Sequence, residues 1–177
     1  MRTDTYKALD NIFKKYKEKQ TGIILQCLLG LSLYEILKCP PECININLVE
    51  GVDIIVECKD FKYAIEVKTT KGRQINIGEK DFEGLKKYKE NGYTSLMAIL
   101  KIDLHSQWLF INPERLERKS SWNINELYTD DIYKNLSEKV NEIFEEMVSK
   151  YAQEIKDNGS SSLLEILKEK KIRYSGK

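Results

Sequence analysis

The segment from Gly51 to Thr70, GVDIIVECKDFKYAIEVKTT, constrains this chain more than any other. Two runs rich in β-branched residues, about 52–58 and 62–70, flank the polar turn Lys59-Asp60-Phe61-Lys62 and read as a β-hairpin. A core hairpin has no need of Asp53, Glu66 and Lys68. In an extended strand residues i and i+2 share a face, so Ala64, Glu66 and Lys68 lie together while Tyr63, Ile65 and Val67 line the other side. In the first strand Asp53, Ile55 and Glu57 share a face in the same way. A turn centred between Asp60 and Phe61 sets Ile55 opposite Glu66 and Asp53 opposite Lys68. Asp53 and Glu66 are then diagonal neighbours on one face.

Two carboxylates brought together on a partly buried face repel, and one takes up a proton unless a cation neutralises the pair. Oxygen ligands without His or Cys suit Mg²⁺ or Mn²⁺, which keep several waters and accept a phosphate oxygen as a further ligand. Such an ion polarises a phosphodiester and lowers the pKa of its water, and Lys68 beside it would orient that water or stabilise developing negative charge. The competing reading is an ordinary half-exposed hairpin with a cross-strand Asp53–Lys68 pair, which at a surface contributes only about 0–1 kcal/mol. The spacing Asp-x12-Glu-x-Lys does not by itself choose between them.

The 177 residues, 41% hydrophobic and 32% charged, are enough for one domain with a sizeable core. Helices are expected at 4–18 and at 21–38, the latter apolar on nearly every face and stopped by Pro40 and Pro41. CININLV is a short strand ahead of the hairpin. EKDFEGLKKYKENGY is a helix closed by Asn91-Gly92 that leads into the buried strand TSLMAILKI, and QWLFINPERL adds another strand. A helix at about 134–156, the break GSSS and the segment LLEILKEKKIRY follow. This order implies an α/β core with a mixed sheet and a helical appendix.

No apolar segment is read as long enough to span a bilayer, and the polar amphipathic start is unlike a signal peptide, so an intracellular protein is expected. Cys27, Cys39, Cys43 and Cys58 make no zinc array and are read as free thiols. A net charge of +1 argues against coating nucleic acid by bulk charge. Residues 59–90, however, hold nine bases against six acids, net +3, whereas 120–158 hold nine acids against four lysines, net −5, so only the middle of the chain is suited to facing phosphates.

Gly-Val-Asp53, the hairpin, Ile-Glu66-Val-Lys68-Thr, a basic loop, a helix and an apolar strand together resemble the PD-(D/E)xK nuclease superfamily, and within it the archaeal Holliday-junction resolvases. The likeness runs over roughly residues 20–115, through AIEVKTT, INIGEKDFEGLKKY, SLMAILKI and QWLFINP. It implies a restriction-endonuclease-like core at 1–118, with a central mixed sheet flanked by helices. Residues 119–177 are then a helical C-terminal extension packed on the same domain. Carried over, the pattern makes Asp53 and Glu66 metal ligands, the Val67 carbonyl a third, and Lys68 the catalytic lysine. Val52 stands where the proline of the motif would be. The resolvases also carry a glutamate in the first helix that contributes to the metal site, and here that position is Gln26, whose amide can orient water but adds no charge.

Lys71, Arg73 and Lys80 would flank the scissile phosphate and contact DNA without reading sequence. The expected activity is Mg²⁺- or Mn²⁺-dependent cleavage of branched DNA by a C2 homodimer, since symmetric cutting of two strands needs two sites. The alternatives are a restriction or repair nuclease of the same fold, and a DNA-binding or assembly module that has lost catalysis, which Gln26 makes credible. Glu35 is read as a solvent-reaching acid at a helix end, Glu57 as a surface acid, His105 as a turn residue, and Trp108 and Phe110 as packing residues.

Overall fold

The computed structural model describes residues 1–49, 51–117 and 119–175. In chain order the elements are helices α1 (Thr3–Lys15) and α2 (Glu18–Leu37), strands β1 (Ile44–Asn47), β2 (Ile54–Glu57), β3 (Lys62–Thr70) and β4 (Gln74–Asn76), helix α3 (Glu79–Glu90), strands β5 (Thr94–Lys101), β6 (Trp108–Ile111) and β7 (Ser121–Asn123), helices α4 (Lys134–Asn158) and α5 (Ser160–Glu169), and strand β8 (Arg173–Ser175). Six strands form a mixed sheet in the order β6-β5-β3-β2-β1-β8, and β4 pairs with β7 in a separate ribbon. Among the described residues only β3 with β5 and β1 with β8 run parallel.

Alternation along the strands divides the core in two. Ile44, Ile46, Ile54, Val56, Ile65, Leu96, Ala98, Trp108 and Phe110 point to the face covered by α1, α2, α4 and α5. Ile55, Ala64, Met97, Ile99 and Ile111 point to the other face, where Leu85 of α3 and Ile75 of the ribbon close over them. Trp108 is buried edge-to-face against Phe144, ring centroids 5.4 Å apart, and so packs as expected.

Every residue of α2 from Ile24 to Leu33 is buried, because the sheet lies on one side of the helix and α4 and α5 on the other. By length and composition this helix is able to cross a bilayer, which corrects the reading that no segment is long and apolar enough. Its burial accounts for the apolarity, since a helix enclosed by protein on all sides needs the same composition as one enclosed by lipid. Lys38, in the left-handed conformation at φ 49°, ends it just before Pro40.

The hairpin register differs from the expectation. Ile54 pairs with Ile65, Ile55 with Ala64 and Val56 with Tyr63, so the turn is centred between Lys59 and Asp60, where the Cys58 N–H donates to the Phe61 carbonyl at 2.9 Å. The slip is two residues along one strand, an even number, and so leaves every side chain on its expected face. Three further strands were unexpected. The loop after β3 continues into the β4–β7 ribbon, and the chain end adds β8 to the sheet beside β1. At the opposite edge, side chains take the outward amides of β6 and of the residue after it: Asn141 accepts from Trp108 N at 2.7 Å, Thr129 from Phe110 N at 3.2 Å and Asp130 from Asn112 N at 2.6 Å. That edge is closed to strand addition.

Candidate active site

β3 is paired with β2 only as far as Ile65, and beyond that point its outer edge is open. Asp53 fills the gap. It lies in a bend ahead of β2 rather than in the strand, and its Oδ2 accepts the N–H of Val67 at 2.7 Å, in place of a ladder bond. In a strand the N–H and C=O of one residue point to the same edge, so the Val67 carbonyl also faces the Asp53 side.

The bend is held by two residues. Asn47 N donates to the Asp53 carbonyl at 2.8 Å, and Asn47 Nδ2 donates to the Val52 carbonyl at 2.6 Å. Gln26, buried in α2, donates Nε2 to the Asn47 and Asp53 carbonyls at 2.5 and 2.9 Å. Both amide hydrogens of Gln26 are thereby used, and only its oxygen is left to meet water or a ligand. Asn47 had no signal in the sequence beyond its place in a short strand.

Glu66 and Lys68 stand on the α3 face of β3, two residues apart as alternation requires. Glu66 is only 7% exposed. Its Oε1 accepts from Lys68 Nζ at 3.0 Å, and the same ammonium lies 2.9 Å from Oδ2 of Asp81, in the first turn of α3. Asp81 Oδ2 also accepts the Gly78 N–H at 2.9 Å, capping the helix. The cross-strand Asp53–Lys68 pair of the competing reading does not form, and Lys68 instead joins a Glu66–Lys68–Asp81 chain. A capping box at Gly78-x-x-Asp81 was the sequence signal that could have placed Asp81 at a helix start.

These charges sit where water is scarce. Burial pushes Asp53 up to about 6, with the Val67 N–H and Lys68 pulling the other way and Asp81 adding to the rise. Burial and the charge of Asp53 push Glu66 up to about 8 against the pull of Lys68. Burial works to lower Lys68, but Glu66 and Asp81 outweigh it and hold the ammonium above its ordinary value. The site therefore disfavours two free carboxylates, and a cation would relieve it.

The outlying candidates divide. Lys71 lies 3.7 Å from Asp10 and 4.5 Å above the ring of Phe13, so it is engaged with α1. Arg73 and Lys80 are exposed on either side of β4, Arg73 in the loop after β3 and Lys80 in the first turn of α3. Glu35 pairs with Lys170 at 2.9 Å, Glu57 with Lys62 at 2.7 Å, and His105 occupies a turn at φ 65°. All four cysteines are free.

Among the described residues no group of three or more His, Cys, Asp or Glu is gathered to hold a metal. The available donor set is two carboxylates and a backbone carbonyl, which fits an ion that retains several of its waters, as Mg²⁺ and Mn²⁺ do.

Two acids and a lysine at the open end of a central strand form the constellation of the PD-(D/E)xK nucleases. The chain belongs to the archaeal Holliday junction resolvase (Hjc) family within that superfamily, whose family model matches residues 49–144. Among solved structures, the chain is similar to Hjc, a Holliday junction resolvase of the archaeal hyperthermophile Archaeoglobus fulgidus. The two share 18% identity with a TM-score of 0.38, over 52% of this chain and 75% of that one. No curated protein matches the sequence.

Proposed function

We propose that the protein is a divalent-metal-dependent endodeoxyribonuclease that cuts branched DNA. The observation that carries this reading is that half-buried Asp53 and buried Glu66 share one water-poor site beside Lys68, where both carboxyls are pushed above their ordinary range despite that lysine, in a chain of the resolvase family. Asp53 and Glu66 would hold Mg²⁺ or Mn²⁺, with the Val67 carbonyl on the same edge as a third protein ligand. The ion supplies positive charge that makes a water nucleophilic and offsets the charge gathering on the scissile phosphate.

The chain's own residues do the rest. Gln26 and Asn47 hold the Asp53 backbone, and the Val67 N–H holds its carboxylate, so the ligand is positioned before any ion arrives. Lys68 places a fixed positive charge on the side of the strand where the attacking water and the phosphate meet. Gln26, with its donors committed to the backbone, acts through its oxygen and through the bend it holds.

Arg73 and Lys80, exposed on either side of β4, would contact phosphates, and Lys71 would join them by leaving Asp10. Two symmetric cuts need two copies of the site, and a C2 homodimer provides them. With the β6 edge closed by Asn141 and Asp130, that dimer uses another surface. Residues 1–118 act as the nuclease domain and 119–177 as an extension packed on it, in an intracellular protein.

The test is cleavage of a four-way junction against a linear duplex of the same sequence, with Mg²⁺. Junction cleavage that disappears with EDTA supports the proposal. Equal cleavage of both substrates points to a restriction or repair enzyme, and junction binding without cleavage points to a module that has lost its chemistry.

A further inference from the structure

The Asp81 carboxylate touches both Lys68 and the start of α3, and neither contact belongs to the three-residue motif. Lys68 Nζ lies between two carboxylates, Glu66 at 3.0 Å and Asp81 at 2.9 Å. Glu66 is also one of the two acids available to an ion, and a carboxylate that turns its oxygens to a cation has less to give a lysine. Asp81 has no such second task. Its Oδ2 is fixed by the Gly78 N–H at 2.9 Å, so it is tied to the backbone of a different element from the one that carries Lys68.

We infer that Asp81 is a positioning residue for the reaction, an anchor on α3 that keeps Lys68 aimed into the site when Glu66 is drawn to the metal. The inference rests on the nuclease reading of the site and adds to it a role for the α3 first turn. A lysine carries several rotatable bonds, and without the α3 carboxylate its ammonium would follow Glu66 or swing toward solvent. Misplacement of a catalytic group by about 1 Å costs on the order of a hundredfold in rate, so loss of the anchor is expected to lower kcat rather than substrate affinity.

Capping and anchoring are separated by three variants of the full chain. Asp81→Asn keeps an oxygen for the Gly78 N–H and loses the charge on Lys68. Asp81→Glu keeps both, since Glu at this position of a helix also completes a capping box. Asp81→Ala loses both. The expected result is a kcat on the four-way junction lowered about tenfold or more in Asp81→Asn and restored to within about threefold in Asp81→Glu, with metal-free junction affinity and Tm of Asp81→Asn close to the parent. Asp81→Asn cleaving at the parent rate, or losing rate only in step with Tm or affinity, overturns the inference.

A second measurement does not require cleavage. Acylation of the metal-free protein with an N-hydroxysuccinimide ester, mapped by mass spectrometry, should modify Lys68 several times faster in Asp81→Asn than in the parent. Unchanged Lys68 labelling contradicts the anchor even if the enzyme is active. Failure of the unmodified protein to cut any DNA contradicts the nuclease reading instead, and the labelling still decides the contact.

Discussion

Asp53 accepts the backbone N–H of Val67 through Oδ2 at 2.7 Å, a side chain taking the place of a strand at the point where β2 stops. The carboxylate is thereby placed by main-chain geometry, beside the Val67 carbonyl and at the foot of the strand that carries Glu66 and Lys68. Asp53→Asn retains an acceptor for that N–H and removes the charge. We expect it to melt close to the parent and to lose at least about a hundredfold in junction cleavage. Asp53→Ala leaves the Val67 N–H unpaired and should in addition lose about 1–3 kcal/mol of stability in a denaturant titration.

The pH dependence has a definite sign. Asp53 rises from 3.8 to about 6 and Glu66 from 4.5 to about 8, so between these limits the folded protein holds protons that the unfolded chain has released. The contribution of these two groups to metal-free stability is greatest below their unfolded values and is lost as pH rises through 6 and then 8. Lys68 stays protonated across that window. Melting curves from about pH 5 to about pH 8.5 should show the decline, and Glu66→Gln should remove most of it. Added Mg²⁺ should raise Tm more at the alkaline end, where it meets ionised carboxylates.

Gln26 tests how the bend at Asp53 is held. Replacing it with Glu adds a carboxylate but takes away both hydrogen-bond donors, leaving the Asn47 and Asp53 carbonyls without their amide partner. Gln26→Glu is expected to cost about 1–3 kcal/mol in the metal-free protein, and a Tm equal to the parent's in EDTA would show that the amide does not hold the bend.

Phosphate contacts are separable from chemistry by salt. Arg73→Ala and Lys80→Ala should each weaken junction binding and reduce the slope of log K against log salt by about one contact's worth, roughly 0.9, with little change in cleavage at saturating protein. Lys71→Ala should do less, because Lys71 gives up Asp10 and Phe13 to reach DNA. Filter binding or anisotropy over a salt series measures all three.

The hairpin shows what a sequence makes legible. β3 occupies Lys62–Thr70 as its composition and alternation predict, and the faces of Glu66 and Lys68 follow from period two. The register was not legible, because Lys59-Asp60-Phe61-Lys62 accommodates more than one turn centre, and only the even size of the slip kept the faces right. Asp53 lies just outside the strand it was expected to occupy, since a bend ahead of β2 leaves no mark in residues chosen for burial. Asp81 was hidden for a different reason: its neighbours in EKDFEGL describe a helix start, and the meeting of that start with β3 is a tertiary fact. The three-residue strands β4, β7 and β8 are too short to show any period of their own.

The central claim is that Asp53 and Glu66 form one metal site. A crystal soaked in millimolar Mn²⁺ and measured at the manganese edge tests it most directly. The account predicts an anomalous peak between the two carboxylates, within ligand distance of the Val67 carbonyl. No peak at that position, with both carboxylates ionised at about pH 8.5 and the lattice intact, would contradict it.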